Sequence, residues 1–165
     1  MTEVEWCLKQ KRGIKIIEPN EDLARAYLLK AENSLKAAIN LKDIFEWEIS
    51  ASYYAMYFSL YAILMRIGVK SEIHSCTIAF MKEYLSEYFS EDEIGLIKMA
   101  QKARIDLQYY SDRNVSKETY NKIKEKRSLF LVKCKKTLNE LKEEEIFRIR
   151  KRLKDNMFFP FFGDQ

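Results

Sequence analysis

Apolar residues recur three and four positions apart along much of this chain, a spacing that predicts amphipathic helices. One such stripe begins just after Pro19-Asn20-Glu21-Asp22. Asn20 can cap free backbone amides there, and the two acids lie at the positive end of the helix dipole. The pattern predicts a first helix from Glu21 to about Lys42, with an apolar face formed by Leu23, Tyr27, Ala31, Leu35, Ala38 and Leu41.

A second predicted helix begins after a cap at Asp43 and ends at Ile67, because Gly68 is a favourable stop. It differs from the first helix in being apolar nearly all round, which is typical of a helix at the centre of a bundle. Along it runs a row of small side chains that would let a neighbouring backbone come close: Ser52, Ala55, Ser59 and Ala62.

Further helices are predicted from Ser71 to about Tyr88, from the capping box at Ser90 to about Asp112, and from Ser116 to about Glu145. We therefore expect an all-α fold, an up-and-down bundle of four to five helices. The expected organisation is an N-terminal arm over residues 1–18, the bundle over residues 19–145, and a basic and aromatic C-terminal tail over residues 146–165.

Composition is that of a globular domain, with 165 residues of which 47% are hydrophobic and 33% charged. A net charge of +4 does not by itself indicate nucleic-acid binding. The three cysteines are far apart and odd in number, which disfavours a disulfide framework or a zinc site and favours a reducing cytoplasm. The sequence shows no apolar signal core or membrane span. We expect a cytoplasmic protein without metal or cofactor.

Candidate chemistry is concentrated on the fourth predicted helix. Arg104 and Gln108 lie one turn apart, and Asp106 and Tyr110 lie one turn apart on a neighbouring face, with Tyr109 beside both pairs. Arg104 could bind a phosphate, and either tyrosine could stack on a base or donate to a phosphate oxygen. The alternative is an ion pair between Arg104 and Asp106, with the tyrosines serving as packing.

His74 is the one histidine in the chain and its side chain alone has an ordinary pKa near neutrality. A role in proton transfer is one interpretation, and a structural role at a helix start is the other.

The segment from Arg148 to Lys154 also has a functional and a structural interpretation. It could bind RNA phosphates while Phe147 and Phe158 stack on bases, or it could be a solvated helix end that precedes a docking tail.

Several spaced motifs resemble the HEPN domains of prokaryotes, over about Trp6 to Leu141. They are the run Ser-Tyr-Tyr-Ala-Met-Tyr-Phe at 52–58, the Gly68 break, the segment from Lys70 to Ser75, and Arg104-x-Asp106 followed by Tyr109-Tyr110. The arm, with Trp6-Cys7-Leu8-Lys9-Gln10, looks like an archaeal-type branch of that family.

The resemblance implies a helical bundle that forms a homodimer, often paired with a minimal nucleotidyltransferase in toxin–antitoxin systems. Many members are metal-independent endoribonucleases that use an arginine followed, after four to six residues, by a histidine. Here Tyr109 stands where that histidine is expected. A phenol with its pKa of about 10 is a poor general base at neutral pH.

These observations lead to three functional hypotheses. The first is a nucleotide- or RNA-binding component of a toxin–antitoxin-like pair, with Arg104, Asp106, Tyr109 and Tyr110 at the binding site and a minimal nucleotidyltransferase as partner. The second is a metal-independent endoribonuclease that uses Arg104 with His74 as catalytic residues. The third is a structural dimer that recruits a partner through the aromatic tail, Phe158 to Phe162.

Overall fold

A computed structural model of the protein describes residues 1–158, and most of them lie in helices. Two short strands, β1 (Lys15–Ile16) and β2 (Val69–Lys70), pair antiparallel with Lys15 opposite Lys70. Because helices dominate residues 1–158, the prediction of an all-α helical bundle is confirmed, although seven helices are present there and four to five were predicted. The helices are α1 (Glu3–Lys9), α2 (Glu21–Asn40), α3 (Phe45–Ile67), α4 (His74–Tyr84), α5 (Glu91–Tyr109), α6 (Lys117–Glu140) and α7 (Glu143–Phe158).

Local capping explains where several helices begin and end. Asn20 accepts a hydrogen bond from the Leu23 amide at 2.9 Å, and Ser90 forms a capping box with Glu93. Gly68 has a φ of +83°, a left-handed conformation that ends α3. The predicted cap at Asp43 is wrong, because Ile44 precedes α3 without a side-chain hydrogen bond. The predicted third helix ends early, because turns follow Tyr84. The predicted fifth helix is broken at 141–142, where α6 ends and α7 begins.

The central position of α3 follows from its lack of a polar face. Its side chains from Ile49 to Ile67 are nearly all buried, and Tyr53, Met56 and Leu60 are among the largest fully buried ones. α2 packs along α3, and Ala31 and Ala38 of α2 are fully buried. The predicted row of small residues on α3 is buried as well, which permits close approach of the neighbouring helices.

A buried ion pair joins α3 to α6. The Glu48 side chain is fully buried, and Arg127 Nη1 lies 2.8 Å from its Oε1. The same nitrogen donates to Ser52 Oγ at 3.0 Å, and the Tyr120 hydroxyl donates to Glu48 Oε2. This hydrogen bond to the carboxylate is the main reason why the pKa of Tyr120 rises to about 12. All the polar atoms of the Glu48 carboxylate therefore have partners.

The arm is attached to the bundle by a disulfide between Cys7 of α1 and Cys76 of α4, with the Cα atoms 5.6 Å apart. The expectation of reduced cysteines is thus wrong. The two cysteines are 69 residues apart in sequence, and only the packing of α1 on α4 brings them together. The cysteines consequently give no support for a reducing compartment. Cys134 is free and buried.

The helix α7 packs on the bundle through Ile146, Ile149 and Leu153, which are buried. Arg150 Nη1 donates to the carbonyl oxygens of Ile17, Ile67 and Gly68 at 2.7, 3.0 and 2.9 Å. Its guanidinium therefore satisfies carbonyl groups at the C-terminal end of α3, which the helix itself leaves without partners.

Across residues 1–158, no helix is long and apolar enough to cross a membrane.

Candidate functional site

The floor of the candidate site is a cluster of tyrosine rings on α3, which we call the tyrosine floor: Tyr53, Tyr54 and Tyr57. These residues follow one another at helical spacing, so their rings lie side by side, and Tyr53 stacks on Tyr57 with ring centroids 5.7 Å apart. α4 places His74 against this floor, and α5 places Arg104 against it. Two residues that lie thirty positions apart in sequence thus contact the same rings.

His74, at the first turn of α4, lies flat on Tyr57, with ring centroids 4.0 Å apart and 13° between the planes. Its Nδ1 is 2.7 Å from the Tyr53 hydroxyl oxygen. Burial lowers the pKa of His74, and the nearby positive charge of Arg104 lowers it further. The imidazole is therefore neutral at pH 7.

The hydrogen bond between Tyr53 and His74 has a preferred direction. The Tyr53 side chain is fully buried, and burial raises its pKa, so the phenol keeps its proton. Within residues 1–158 the Tyr53 hydroxyl has no hydrogen-bond partner other than His74 Nδ1. The hydroxyl therefore donates to Nδ1, which places the hydrogen of the neutral imidazole on Nε2. The free edge of His74 is then a hydrogen-bond donor.

Arg104 lies half-buried among aromatic rings. Its Cζ is 5.1 Å from the ring centroid of Tyr54, 5.5 Å from that of Tyr53 and 5.9 Å from that of Tyr109. In the described part of the chain no carboxylate pairs with this guanidinium, and its buried Nε has no hydrogen-bond partner. Among residues 1–158 its one side-chain hydrogen-bond contact is the Tyr109 hydroxyl, 3.5 Å from Nη2, at the outer limit of a hydrogen bond.

The alternative of an ion pair between Arg104 and Asp106 is wrong. Asp106 instead binds Lys102 and Arg113, and Arg113 Nη1 lies 2.9 Å from its Oδ1. Hydrogen bonds from those two cations hold the pKa of the Asp106 carboxyl below its usual range. Residues two positions apart on a helix do not face each other, so Asp106 points away from Arg104.

Tyr110 belongs with Asp106 rather than with Arg104. The Arg113 guanidinium lies over the Tyr110 ring, with Cζ 3.5 Å from the centroid. This contact and the Asp106 pair fix the chain just after α5. Of the four residues predicted to bind a nucleotide or RNA, Arg104 lies against the tyrosine floor and Tyr109 lies beside Arg104. Asp106 and Tyr110 instead form a neighbouring cluster with Arg113.

All three arginines in the basic stretch from Arg148 to Lys154 contact the bundle. Arg148 pairs with Glu87 at 2.8 Å, Arg150 binds backbone carbonyls, and Arg152 lies over the ring of Tyr84. These contacts favour the interpretation of the stretch as a packed helix. Phe158 is exposed, and the remainder of the predicted aromatic tail, 159–162, lies outside the described residues.

Sequence reasoning missed the tyrosine floor as part of the site. The spacing of Tyr53, Tyr54 and Tyr57 along α3 is that of a core helix, and it therefore indicates packing and not binding. The signal in the sequence is the concentration of three tyrosines within the five residues 53–57. Among residues 1–158, no three His, Cys, Asp or Glu side chains lie close enough together to hold a metal ion.

Fold and site together define a class: an all-helical bundle with a neutral histidine and an arginine free of carboxylates above a tyrosine floor. Residues 24–137 match the family model described as HEPN domain. The chain therefore belongs to the HEPN domain family, which confirms the resemblance seen in the sequence. Membership supports a role connected with nucleotides or RNA, in the general sense that holds for the family.

A more specific similarity covers part of the chain. It is 39% identical over 59 residues to the UPF0332 protein glr0978 of Gloeobacter violaceus, and the match covers 34% of this chain and 47% of that protein. The matched region is thus about half the length of that relative. His74, Arg104 and Tyr109 lie within the residues that match the HEPN model, whereas α1 and α7 lie outside them.

Proposed function

We propose that Arg104 and His74 bind a phosphate of a nucleotide or RNA above the tyrosine floor. The observation that carries this proposal is the guanidinium of Arg104, which is half-buried and has no carboxylate partner in the described chain. A cation without a counter-charge binds an anion more readily than one already paired, and guanidinium geometry suits phosphate oxygens.

His74 supports the same proposal as a second donor. With Nδ1 engaged by Tyr53, the hydrogen on Nε2 is available for a phosphate oxygen. Tyr109 is 67% exposed beside Arg104 and is free to stack on a base or donate to a phosphate. In this proposal Asp106 and Tyr110 contribute indirectly, since their contacts with Arg113 fix the end of α5.

The proposed partners follow from the resemblance and from the surface around the site. We propose a homodimer formed through the face that carries Arg104 to Tyr110, and a minimal nucleotidyltransferase as the other member of a toxin–antitoxin-like pair. Exposed aromatic side chains near that end of the bundle support an interface, because large apolar groups gain from being covered. They are Phe45, Trp47, Tyr109 and Tyr110, between 37% and 67% exposed.

The second candidate, a metal-independent endoribonuclease, is favoured by one specific observation. His74 and Arg104 contact the same ring of Tyr53, as a pair working on one phosphate would require. The hydrogen bond from Tyr53 counts against it. A base needs a free lone pair, whereas Nε2 carries the hydrogen, and an acid needs the imidazolium, which the lowered pKa of His74 disfavours.

Binding to a labelled single-stranded 2′-O-methyl RNA tests the first candidate, because this RNA has no free hydroxyl for cleavage. Arg104→Ala is expected to weaken binding about 10- to 150-fold, the value of a hydrogen bond to a charged group. It should also reduce the slope of log K against log salt by about 0.7, as expected for one lost phosphate contact on a single strand. Fluorescence anisotropy measures both.

Arg25→Ala is the matched control, because it removes the same charge from an exposed arginine that pairs with acids at the start of α2. Equal weakening by both variants would show a general charge effect and contradict the assignment of Arg104.

Unmodified RNA tests the second candidate, the endoribonuclease. An endoribonuclease would leave a cyclic phosphate in the presence of a chelator, and cleavage that persists in both Arg104→Ala and His74→Ala rules this assignment out.

A further inference from the structure

A cavity of about 590 Å³ lies next to the proposed phosphate site, between α1, α4 and α5. Ser75, in its wall, directly follows His74, and Gln101 is one helical turn before Arg104 on α5. The cavity and the phosphate site are thus neighbours on the same two helices. Its side chains include Trp6, Ser75, Ile78, Ala79, Lys98 and Gln101.

The walls of this cavity suit a flat, uncharged ring. Trp6 is 42% exposed and presents a large aromatic surface, while Ile78 and Ala79 form an apolar side. Gln101 adds an amide that can both donate and accept hydrogen bonds. The volume falls in the range of about 300–1,000 Å³ that is usual for small-molecule sites.

The charges on one wall of the cavity do not favour a second phosphate as its occupant. Lys98 Nζ lies 3.6 Å from Glu3 Oε2, so the two charges on this wall offset each other. Arg104, which has no carboxylate partner among residues 1–158, follows the wall residue Gln101 by one helical turn and lies outside the cavity. A ligand that fills both places would place its phosphate at Arg104 and an uncharged planar group beside Trp6.

We propose that this cavity is a base pocket, in which Trp6 stacks on the nucleobase of a nucleotide whose phosphate is held by Arg104 and His74. The inference rests on the proposed function and adds to it the recognition of a base. The disulfide holds the stacking residue in place, because Cys7 directly follows Trp6 and is bonded to Cys76 on α4. A free 5′-nucleotide and a single-stranded RNA offer the same chemistry.

The chain has two tryptophans, Trp6 and Trp47, which makes a fluorescence test specific. In a Trp47→Phe variant, Trp6 is the only tryptophan. Its emission should be quenched on titration with adenosine 5′-monophosphate or a short 2′-O-methyl oligoadenylate, and should not change with ribose 5-phosphate. Quenching by the mononucleotide alone would assign the pocket to free nucleotides, whereas quenching by the oligonucleotide alone would assign it to RNA.

Affinity gives the second measurement. Trp6→Ala should weaken binding of the base-bearing ligand about 5- to 150-fold, as expected for loss of one stacked base, and should leave ribose 5-phosphate binding unchanged. Trp6→Phe keeps an aromatic ring and should recover part of the affinity. Leu29→Ala, which truncates an exposed apolar side chain on α2 away from the cavity, is the control and should have no effect. Circular dichroism establishes that each variant is folded.

The outcomes separate this inference from the proposed function. If ligands bind in a manner that depends on Arg104, but Trp6→Ala binds the base-bearing ligand as the wild type does, the base pocket is wrong and the phosphate site stands. If Trp6 is quenched equally in the Arg104→Ala background, the base pocket stands and the phosphate site is wrong. Absence of both quenching and Arg104-dependent binding overturns both.

Discussion

Replacing Glu48 with alanine lowers the free energy of unfolding by about 3–5 kcal/mol, the usual effect of removing one partner of a buried ion pair. The carboxylate is fully buried and accepts hydrogen bonds from Arg127 and Tyr120. Without it, the Arg127 charge remains in the interior with only Ser52 as a hydrogen-bond partner. Urea-induced unfolding followed by circular dichroism measures the loss.

Two further variants make this result specific. Glu46→Ala removes an exposed carboxylate from the same first turn of α3 and should change stability by no more than about 0.5 kcal/mol. A Glu48→Leu and Arg127→Met double variant removes both charges and should recover most of the stability, because neither group is left unpaired. A loss below about 1 kcal/mol in Glu48→Ala would contradict a dry, buried pair.

Gly68→Ala is expected to lower the free energy of unfolding by about 3 kcal/mol or more, because both the backbone conformation and the space at this position are unsuitable for alanine. Its φ of +83° is a left-handed conformation that costs an L-residue about 1–2 kcal/mol. A Cβ there would also lie 2.2 Å from Arg150 Nη1 and 2.6 Å from the carbonyl oxygen of Ile17. Arg150 would have to move, and its hydrogen bonds to the end of α3 would be lost. Thermal and urea unfolding measure the effect.

Gly95→Ala provides the opposite case within the same protein. Gly95 lies inside α5, and a Cβ at this position meets nothing within 4 Å. Alanine is favoured over glycine in a helix interior by about 0.5–1 kcal/mol, so this variant should be more stable than the wild type. Similar destabilisation by both substitutions would argue against a special role for the Gly68 position.

The local parts of the fold were predictable because they depend on neighbours in sequence. Asn20 and Ser90 cap helices whose first amides lie within three residues of them, and Gly68 stops a helix through its own backbone freedom. The disulfide between Cys7 and Cys76 depends on how two helices pack, and no spacing along the chain indicates it. Local signals therefore predicted the bundle but not the disulfide that attaches the arm.

The site shows the same division. Arg104 was identified from its residue type and its place on a helix, but its surroundings come from α3, which the sequence presents only as a core helix. The contact of His74 with Tyr53 and Tyr57 likewise depends on the angle at which α4 meets α3. The proposed ion pair with Asp106 failed on local geometry, because residues at i and i+2 point to different sides of a helix.

Arg150 also affects the order in which the molecule can be completed during translation. Its acceptors on Ile17, Ile67 and Gly68 precede it by 133, 83 and 82 residues. At about 5–20 residues per second, a ribosome needs roughly 4–16 seconds to make the 82 residues from Gly68 to Arg150. During that interval the carbonyl groups between the arm and α3 lack the hydrogen bonds that Arg150 donates. The nascent bundle therefore acquires this link only when α7 emerges.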